Sequence, residues 1–563
     1  MEPHHLIVIL CAICVCALLA HRLQLAPPIA FLFGGLALAL VPGMHVPNIE
    51  PQYMLVLILP PILMEAAFFT SLREFKAQLR PILLLAVGLV MCTAAAIAFV
   101  IVHLIPGANW ALGFVLGAIV SPPDAAAATS ALRGAPIPRR ILTILEGESL
   151  MNDATGIVLY KFAVAAVVTA SFSLPGAGLD LVWKASMGIG TGLAIGYVFV
   201  RMFPYLRDQS VEILATFVPP YAAYLLGESL GASGVLATVA CGLLIGWHAP
   251  ALFSPRMRMP TEAVWKMVVF LINAIAFMLI GLQMPGLIAR LHIYSLHLVV
   301  ASTLAVCAAT IIIRFAYVFA ATHLTRWLFP RIRREDPAPP WQNVFLISWT
   351  GMRGVVTLAL ALALPLTLKD GVNPFPYRDL IVFLSTAVIL LTLVMQGLTL
   401  PWLMRKLTLS FDPRRMQEEW IARMAIAQRA LNTLEELERQ PGTHRPALER
   451  IRSHYAERVE SLGDGPNTPL HGEKDVSMRN HPLLVAENRI WQVVLKRERE
   501  TLFSMRRRFT ISDEVMYDLL REMDLLAARF HNDGVMEEDL PHIPTAVERR
   551  HLWQRLGGRK EVA

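Results

Sequence analysis

Apolar residues gather into thirteen runs, near 6–20, 27–42, 53–69, 81–105, 109–132, 141–170, 180–203, 211–229, 232–247, 262–282, 294–323, 341–365 and 378–404, with polar loops between them. A helix needs about 20 apolar residues to cross a hydrocarbon core of roughly 30 Å. The first, second and ninth runs are short for that task. An odd number of crossings puts the two termini on opposite sides of the membrane. Beyond residue 410 the pattern changes. Stretches 414–440, 483–508 and 512–530 carry one apolar stripe at helical spacing, and 460–482 is polar and rich in turn formers. The pattern predicts an all-α polytopic membrane domain over 1–410 and a mostly helical polar tail over 411–563.

Composition sharpens this division. Only 17% of residues are charged, against about a quarter in soluble chains, while 55% are hydrophobic and mean hydropathy is +0.53. A net charge of +7 would suit a nucleic-acid binder if it sat on a polar domain. The tail, however, holds 25 basic and 26 acidic residues, so the surplus lies in the membrane part and no nucleic-acid partner is expected. It occupies alternate loops, among them those with Arg73, Lys76 and Arg80, with Arg133, Arg139 and Arg140, and with Arg326, Arg331, Arg333 and Arg334. The other loops carry only Lys184, Arg290, Lys369 and Arg378. Basic loops mark the cytoplasmic side, which places the N-terminus outside and the tail inside. The first run has almost no basic segment ahead of it and reads as a span, not a cleaved leader. All six cysteines lie in apolar runs, and Cys11 and Cys14 read as small apolar side chains, not as a metal or redox pair.

Charges at membrane depth are costly and mark function. In span 5 (FVLGAIVSPPDAAAATSAL), Pro122 and Pro123 remove two backbone donors and clash with the preceding turn. The helix must break near Ser121–Asp124, where irregular backbone is tolerated only inside protein or beside a wet cavity. Freed carbonyls and half-helix ends can bind ions there, with Asp124 starting the second half. In span 6 (GESLMNDATG), Ser149 and Asp153 share a face, as do Glu148 and Asn152. Such hard oxygen ligands suit a small cation like Na+. Burial favours the neutral form of a carboxylate, so one group can hold either a proton or a cation.

Span 12 (SWTGMRGVVTLALALALP) is weakened at Gly351 and Gly354, which flank Arg353. It follows span 5 by seven, and breaks at matching positions in two halves point to an inverted-repeat transporter. Arg353 would then balance a negative half-helix end or a carboxylate at the crossing. Arg314, deep in span 11, needs an acidic partner, for which Glu148 is the first choice. Glu65 follows another double proline in span 3. Lys161, Glu212 and Lys266 sit nearer span ends, where snorkelling is the default, and Glu228 falls in an outside loop. Gly and Ala repeats in spans 7 and 9 favour close helix packing, including at a dimer face.

These strings resemble the NhaP/NHE-type monovalent cation:proton (Na+/H+) antiporters over roughly 1–405, through LPPILMEAAFF, SPPDAAAATS, GESLMNDATGIVLY, Arg314 and GMRGVVTLALALALP in order. The resemblance implies thirteen helices in two inverted repeats of six joined by span 7. Spans 4–6 and 11–13 would form a moving core and the others a dimerisation scaffold in a bacterial inner membrane, with no cofactor. By motif position it implies Asp153 as the ion- and proton-binding carboxylate. Ser149, Asp124 and the Pro123 backbone are implied as co-ligands, and Asn152 as the neutral member of the pair that marks electroneutral relatives. Glu148 and Arg314 are implied as a structural ion pair, and Arg353 as the charge that balances the crossing; Glu65 stands as an accessory candidate. SPPDA departs from an SPTDP-like string, and Pro123 supplies no hydroxyl, so a co-ligand there must be backbone.

The expected activity is exchange of one Na+ for one proton, insensitive to voltage and driven by the proton gradient. The same motifs would serve K+/H+ exchange. The sequence has no GxSxG, HExxH or phosphate loop, and paired broken helices are explained by transport, not by an intramembrane enzyme or a sensor. A passive channel is disfavoured, since a titratable cluster traps its ion. The tail's position suggests regulation or dimer support, and Arg506–Arg508 read as a solvated face.

Overall fold

Proline and glycine set many of the helix boundaries in the computed structural model, which describes residues 3–23, 26–41, 51–124, 137–169, 174–206, 208–253, 255–336, 338–368, 373–407, 413–440, 444–463 and 482–529. The regular elements among them are helical. The chain forms two compact units, Met1–Asp412 and Pro413–Ala563.

The first unit opens with α1 (Pro3–Leu23), α2 (Pro27–Ala39), α3 (Pro51–Phe69), the short α4 (Leu72–Ala77) and α5 (Leu79–Leu104). Then come α6 (Trp110–Val120), α7 (Arg139–Thr169), α8 (Leu174–Met202), α9 (Gln209–Ala215), α10 (Val218–Ser229) and α11 (Gly234–Leu252). It closes with α12 (Pro255–Arg290), α13 (Leu296–Leu328), the short α14 (Pro330–Glu335), α15 (Trp341–Trp349), α16 (Val355–Leu362) and α17 (Arg378–Lys406). Among the described residues, α5, α7, α8, α12, α13 and α17 are long and apolar enough to cross a membrane, and α1, α2, α3, α6 and α11 are shorter apolar helices.

Three double prolines have three outcomes. Pro60 and Pro61 stay inside a continuous α3. Pro122 and Pro123 follow the end of α6. Pro219 and Pro220 open α10, where the missing N–H groups have no intrahelical partner to lose. The run 211–229, expected as one span, is therefore two helices, α9 and α10, with α9 capped by the Asp208 carboxylate. The second half of span 5 falls on 125–136, outside the described residues.

Within α5, Leu84–Leu89 form a π turn, which holds an extra residue and releases carbonyls from the α pattern. The Tyr317 hydroxyl of α13 donates to Leu84 O at 3.0 Å. Elsewhere small residues bring backbones together: α2 packs on α12, α8 on α11, and α5 on α6. Gly188, Gly192 and Gly196 of α8 face Ser233, Ala237 and Cys241 around α11 of the same chain, so these small residues are used within one protein.

The second unit contains α18 (Pro413–Glu438), α19 (Arg445–Gly463), α20 (Pro482–Arg507) and α21 (Asp513–Arg529). One apolar cluster centres on Ala422, Leu495, Leu502 and Leu519, another on Ala430, Leu434, Tyr455 and Val494. Helix α19 was not among the sequence-predicted elements. Seven of its 19 residues are charged, and its buried residues Ala447, Leu448, Ile451, Tyr455 and Leu462 form a thin stripe.

A crossing of broken helices beside a buried carboxylate

The site is built where two helices stop. Helix α6 ends at Val120, and Ser121–Asp124 are non-helical because the prolines cannot continue the ladder. Helix α15 ends at Trp349, Thr350–Gly354 are non-helical, and α16 begins at Val355. The two irregular stretches touch: Asp124 donates its backbone N–H to Met352 O at 2.6 Å. Arg353, 1% exposed, donates Nε–H to Val120 O at 2.9 Å and Nη1–H to Gly351 O. One guanidinium thus serves carbonyls at the C-terminal ends of α6 and α15, where helix dipoles are negative. The Arg353 N–H donates to Thr392 Oγ1 at 3.2 Å. Gly354 abuts Asp124 so closely that a methyl there would overlap the carboxylate, which lies beside the positive N-terminal end of α16.

Helix α7 lays its polar residues against this crossing. Gly156 leaves room for Pro122, since a side chain there would overlap the ring. Three residues earlier Asp153 is buried, at 8% exposure, with Asp124 as its charged neighbour. Among the described residues Asp153 has no hydrogen-bond or ion-pair partner. Asn152 is fully buried; its Nδ2 lies 3.5 Å from Pro123 O, and its Oδ1 has no partner among the described residues. Ser149 is half-buried, one turn before Asp153. Glu148 is paired with Arg314, Nη1 to Oε1 at 2.6 Å and Nη2 to Oε2 at 3.1 Å, both residues 1% exposed. Arg314 Nη2 also donates to Ile347 O at 3.0 Å and Thr350 O at 3.3 Å, so it supports the end of α15 as well.

The structure thus brings Asp124, Pro123, Asn152 and Asp153 together, with Arg353 beneath the crossing and Glu148–Arg314 behind it. Glu65 is elsewhere: it lines a small pocket with Met64, Phe68, Phe199, Thr216 and Trp265. Sequence reasoning missed Thr392, whose hydroxyl looks like an ordinary helix-surface group. It also missed the pairing of Lys161 with Glu228, the one assigned to a span end and the other to an outside loop. A third missed feature is Asp336, which receives Arg140 at 2.8 Å, Arg326 at 2.8 Å and Arg80 at 3.6 Å. Burial pushes its carboxyl up, but hydrogen bonding and charge from Arg140, with Arg326 and Arg80, outweigh this and hold it below its ordinary range. Among the described residues no His/Cys/Asp/Glu group of three or more could hold a metal.

Crossed helix breaks beside an uncompensated carboxylate in a polytopic helical protein define a site of the secondary-transporter class. The family model for the transmembrane sodium/hydrogen exchanger matches residues 6–406, and the chain belongs to that family. It is 31% identical over 506 residues to the uncharacterized Na+/H+ exchanger YjcE of Escherichia coli, covering 86% of this chain and 90% of that protein. It is 30% identical over 548 residues to the sodium, potassium, lithium and rubidium/H+ antiporter of Bacillus subtilis, covering 95% and 78%. The sodium proton antiporter MjNhaP1 of Methanocaldococcus jannaschii shares the fold, with a TM-score of 0.55 at 18% identity over 72% of this chain and 98% of that one.

Proposed function

We propose that the protein exchanges Na+ or Li+ for H+ across a bacterial inner membrane, one for one and without net charge movement, using Asp153 as the shared carboxylate. The observation that carries this reading is the burial of Asp153 without a partner among the described residues, beside the crossing. A carboxylate in that position must be relieved by a proton or by a cation. The unpartnered Asn152 Oδ1, Ser149 and the backbone near Pro123 and Asp124 are the co-ligands in this reading. Thirteen spans in inverted repeats would rock the core of spans 4–6 and 11–13 against the remaining helices and expose Asp153 to one side at a time. The N-terminus is outside and the tail cytoplasmic. Residues 1–410 carry transport, and 411–563 regulate it or support a homodimer.

The name of the Bacillus subtilis relative favours a second reading, in which K+ is also carried. A survey of proton flux in proteoliposomes against Na+, Li+ and K+ at several pH values separates the two. Asp153→Asn should abolish flux with every cation, and retained Na+-dependent proton flux would sink the assignment. A response to membrane potential in the wild type would overturn one-for-one stoichiometry.

A further inference from the structure

Helix α7 carries Asp153, and eight residues further, about 12 Å along the axis, it carries Lys161. Lys161 Nζ lies 2.6 Å from Oε1 and 2.7 Å from Oε2 of Glu228. Glu228 is not a loose surface group. It sits at the end of α10, and its Oε1 also accepts the N–H of Gly234, in the first turn of α11, at 3.0 Å. The helices around it are joined backbone to backbone. A methyl on Gly227 would meet Gly234 Cα at 2.9 Å, one on Gly192 would overlap the Ala237 backbone, and Ser233 donates its N–H to Lys184 O at 3.0 Å. Glu228 is therefore fixed to a tight unit of α8, α10 and α11. Helix α7 packs mainly on α5 and α6 and touches α3 and α11 only lightly.

Two further features lie on the same side. Arg290 Nε, at the end of α12, is 3.3 Å from Asp379 Oδ2, in the first turn of α17. Tyr160 is seven residues from Asp153 and so on the same face of α7. It is 4% exposed, and its hydroxyl has no partner among the described residues. This is the end of α7 remote from Arg139 and Arg140.

We propose that the Lys161–Glu228 pair is an outer latch of the transport cycle, holding α7 against the α8–α10–α11 unit and closing the route from Asp153 to the outside. The proposal rests on the antiport reading and names a positioning pair for it. Tyr160, on the Asp153 face of α7 and next to Lys161 in the chain, marks the route that the latch closes, and Arg290–Asp379 is a second clasp between another helix of the proposed core and another of the scaffold. The latch must part each time Asp153 faces outward. Lys161 and Glu228 are 41% and 34% exposed, and exposed ion pairs are weak, so the latch biases the equilibrium by a few-fold without locking it.

The test uses the full chain with its six cysteines replaced and Tyr160→Cys introduced, in vesicles of known orientation. Labelling by a membrane-impermeant maleimide from outside should be slow with the latch intact. Lys161→Gln and Glu228→Gln should each raise that rate several-fold; the latter keeps an acceptor for Gly234 N–H and removes only the charge. The exchanged pair Lys161→Glu with Glu228→Lys should slow it again, which a merely structural role would not produce. The single variants should also lower the KM for external cation relative to internal cation. Unchanged labelling in both single variants overturns the latch. Labelling does not require turnover, so a failure of the Asp153 assignment in flux assays is read separately.

Discussion

Asp124 and Met352, 228 residues apart, are joined by a backbone hydrogen bond of 2.6 Å between two stretches that have left the helical pattern. Each stretch exposes groups that neither helix can satisfy by itself, and the crossing lets them satisfy one another.

The tightest point of that crossing is Gly354 against the Asp124 carboxylate. The residue has φ −131°, which any amino acid adopts, so Gly354→Ala strains contacts and not the backbone. Overpacking should lower thermal stability by about 1–3 kcal/mol. Displacement of Asp124 should cut cation-dependent proton flux by roughly 10- to 100-fold. Melting and flux on the same preparation check both.

Arg353 has a different task, since its donors go to Val120 O and Gly351 O. Arg353→Ala leaves buried carbonyls unpaired and should cost about 2–5 kcal/mol. Arg353→Lys, which keeps the charge without the planar fork, should recover part of that loss. Thermal unfolding in one detergent ranks the three proteins.

Glu148 and Arg314 should be unequal in a double-mutant cycle. Removing either partner strands a buried charge, at about 3–5 kcal/mol. Arg314 also serves Ile347 O and Thr350 O. Arg314→Met should therefore cost more than Glu148→Gln, and the double variant less than the sum. Equal single losses would show that the carbonyl contacts contribute nothing.

Glu498 gives the tail a pH dependence of definite sign. Burial raises its carboxyl from an ordinary 4.5 to about 7, against the pull of the Tyr455 hydroxyl and the charges of Arg458 and Arg499. Between those values the folded tail holds a proton that the unfolded chain has released, so stability falls as pH rises through this window. The loss is on the order of 3 kcal/mol, complete above about pH 7. Hydrogen exchange of α19 and α20 in the intact protein should quicken from pH 5.5 to 8 beyond its intrinsic pH dependence. Glu498→Gln should remove the excess.

Local chemistry was legible where one short string carried its own consequence. Pro122–Pro123 imply a helix end, and the apolar runs imply an all-helical membrane part. The same dipeptide at 60–61 and 219–220 shows the limit: whether a double proline is absorbed, ends a helix or starts one depends on tertiary neighbours. At 120–124 those neighbours are Arg353 and Met352, more than 200 residues away. Lys161 and Glu228 were invisible as a pair for a similar reason, since a snorkelling lysine and a loop glutamate look alike whether or not they meet. Asp336 is an ordinary loop aspartate until three helices deliver arginines to it. Helix α19 was hidden by the thinness of its apolar stripe, not by charge, since α18 and α20 are charged to a similar degree.

The π turn at Leu84–Leu89 sets a phase along α5. An inserted residue rotates everything beyond it by about 100° while lengthening the helix by only about 1.5 Å. The faces presented before and after the turn are thus independent of each other: Ile82 is turned toward α7, and Ala94 and Ala98 are turned toward α6. Deleting one residue from 84–89 would leave a smoother helix of nearly the same reach, with one of those two faces pointing the wrong way.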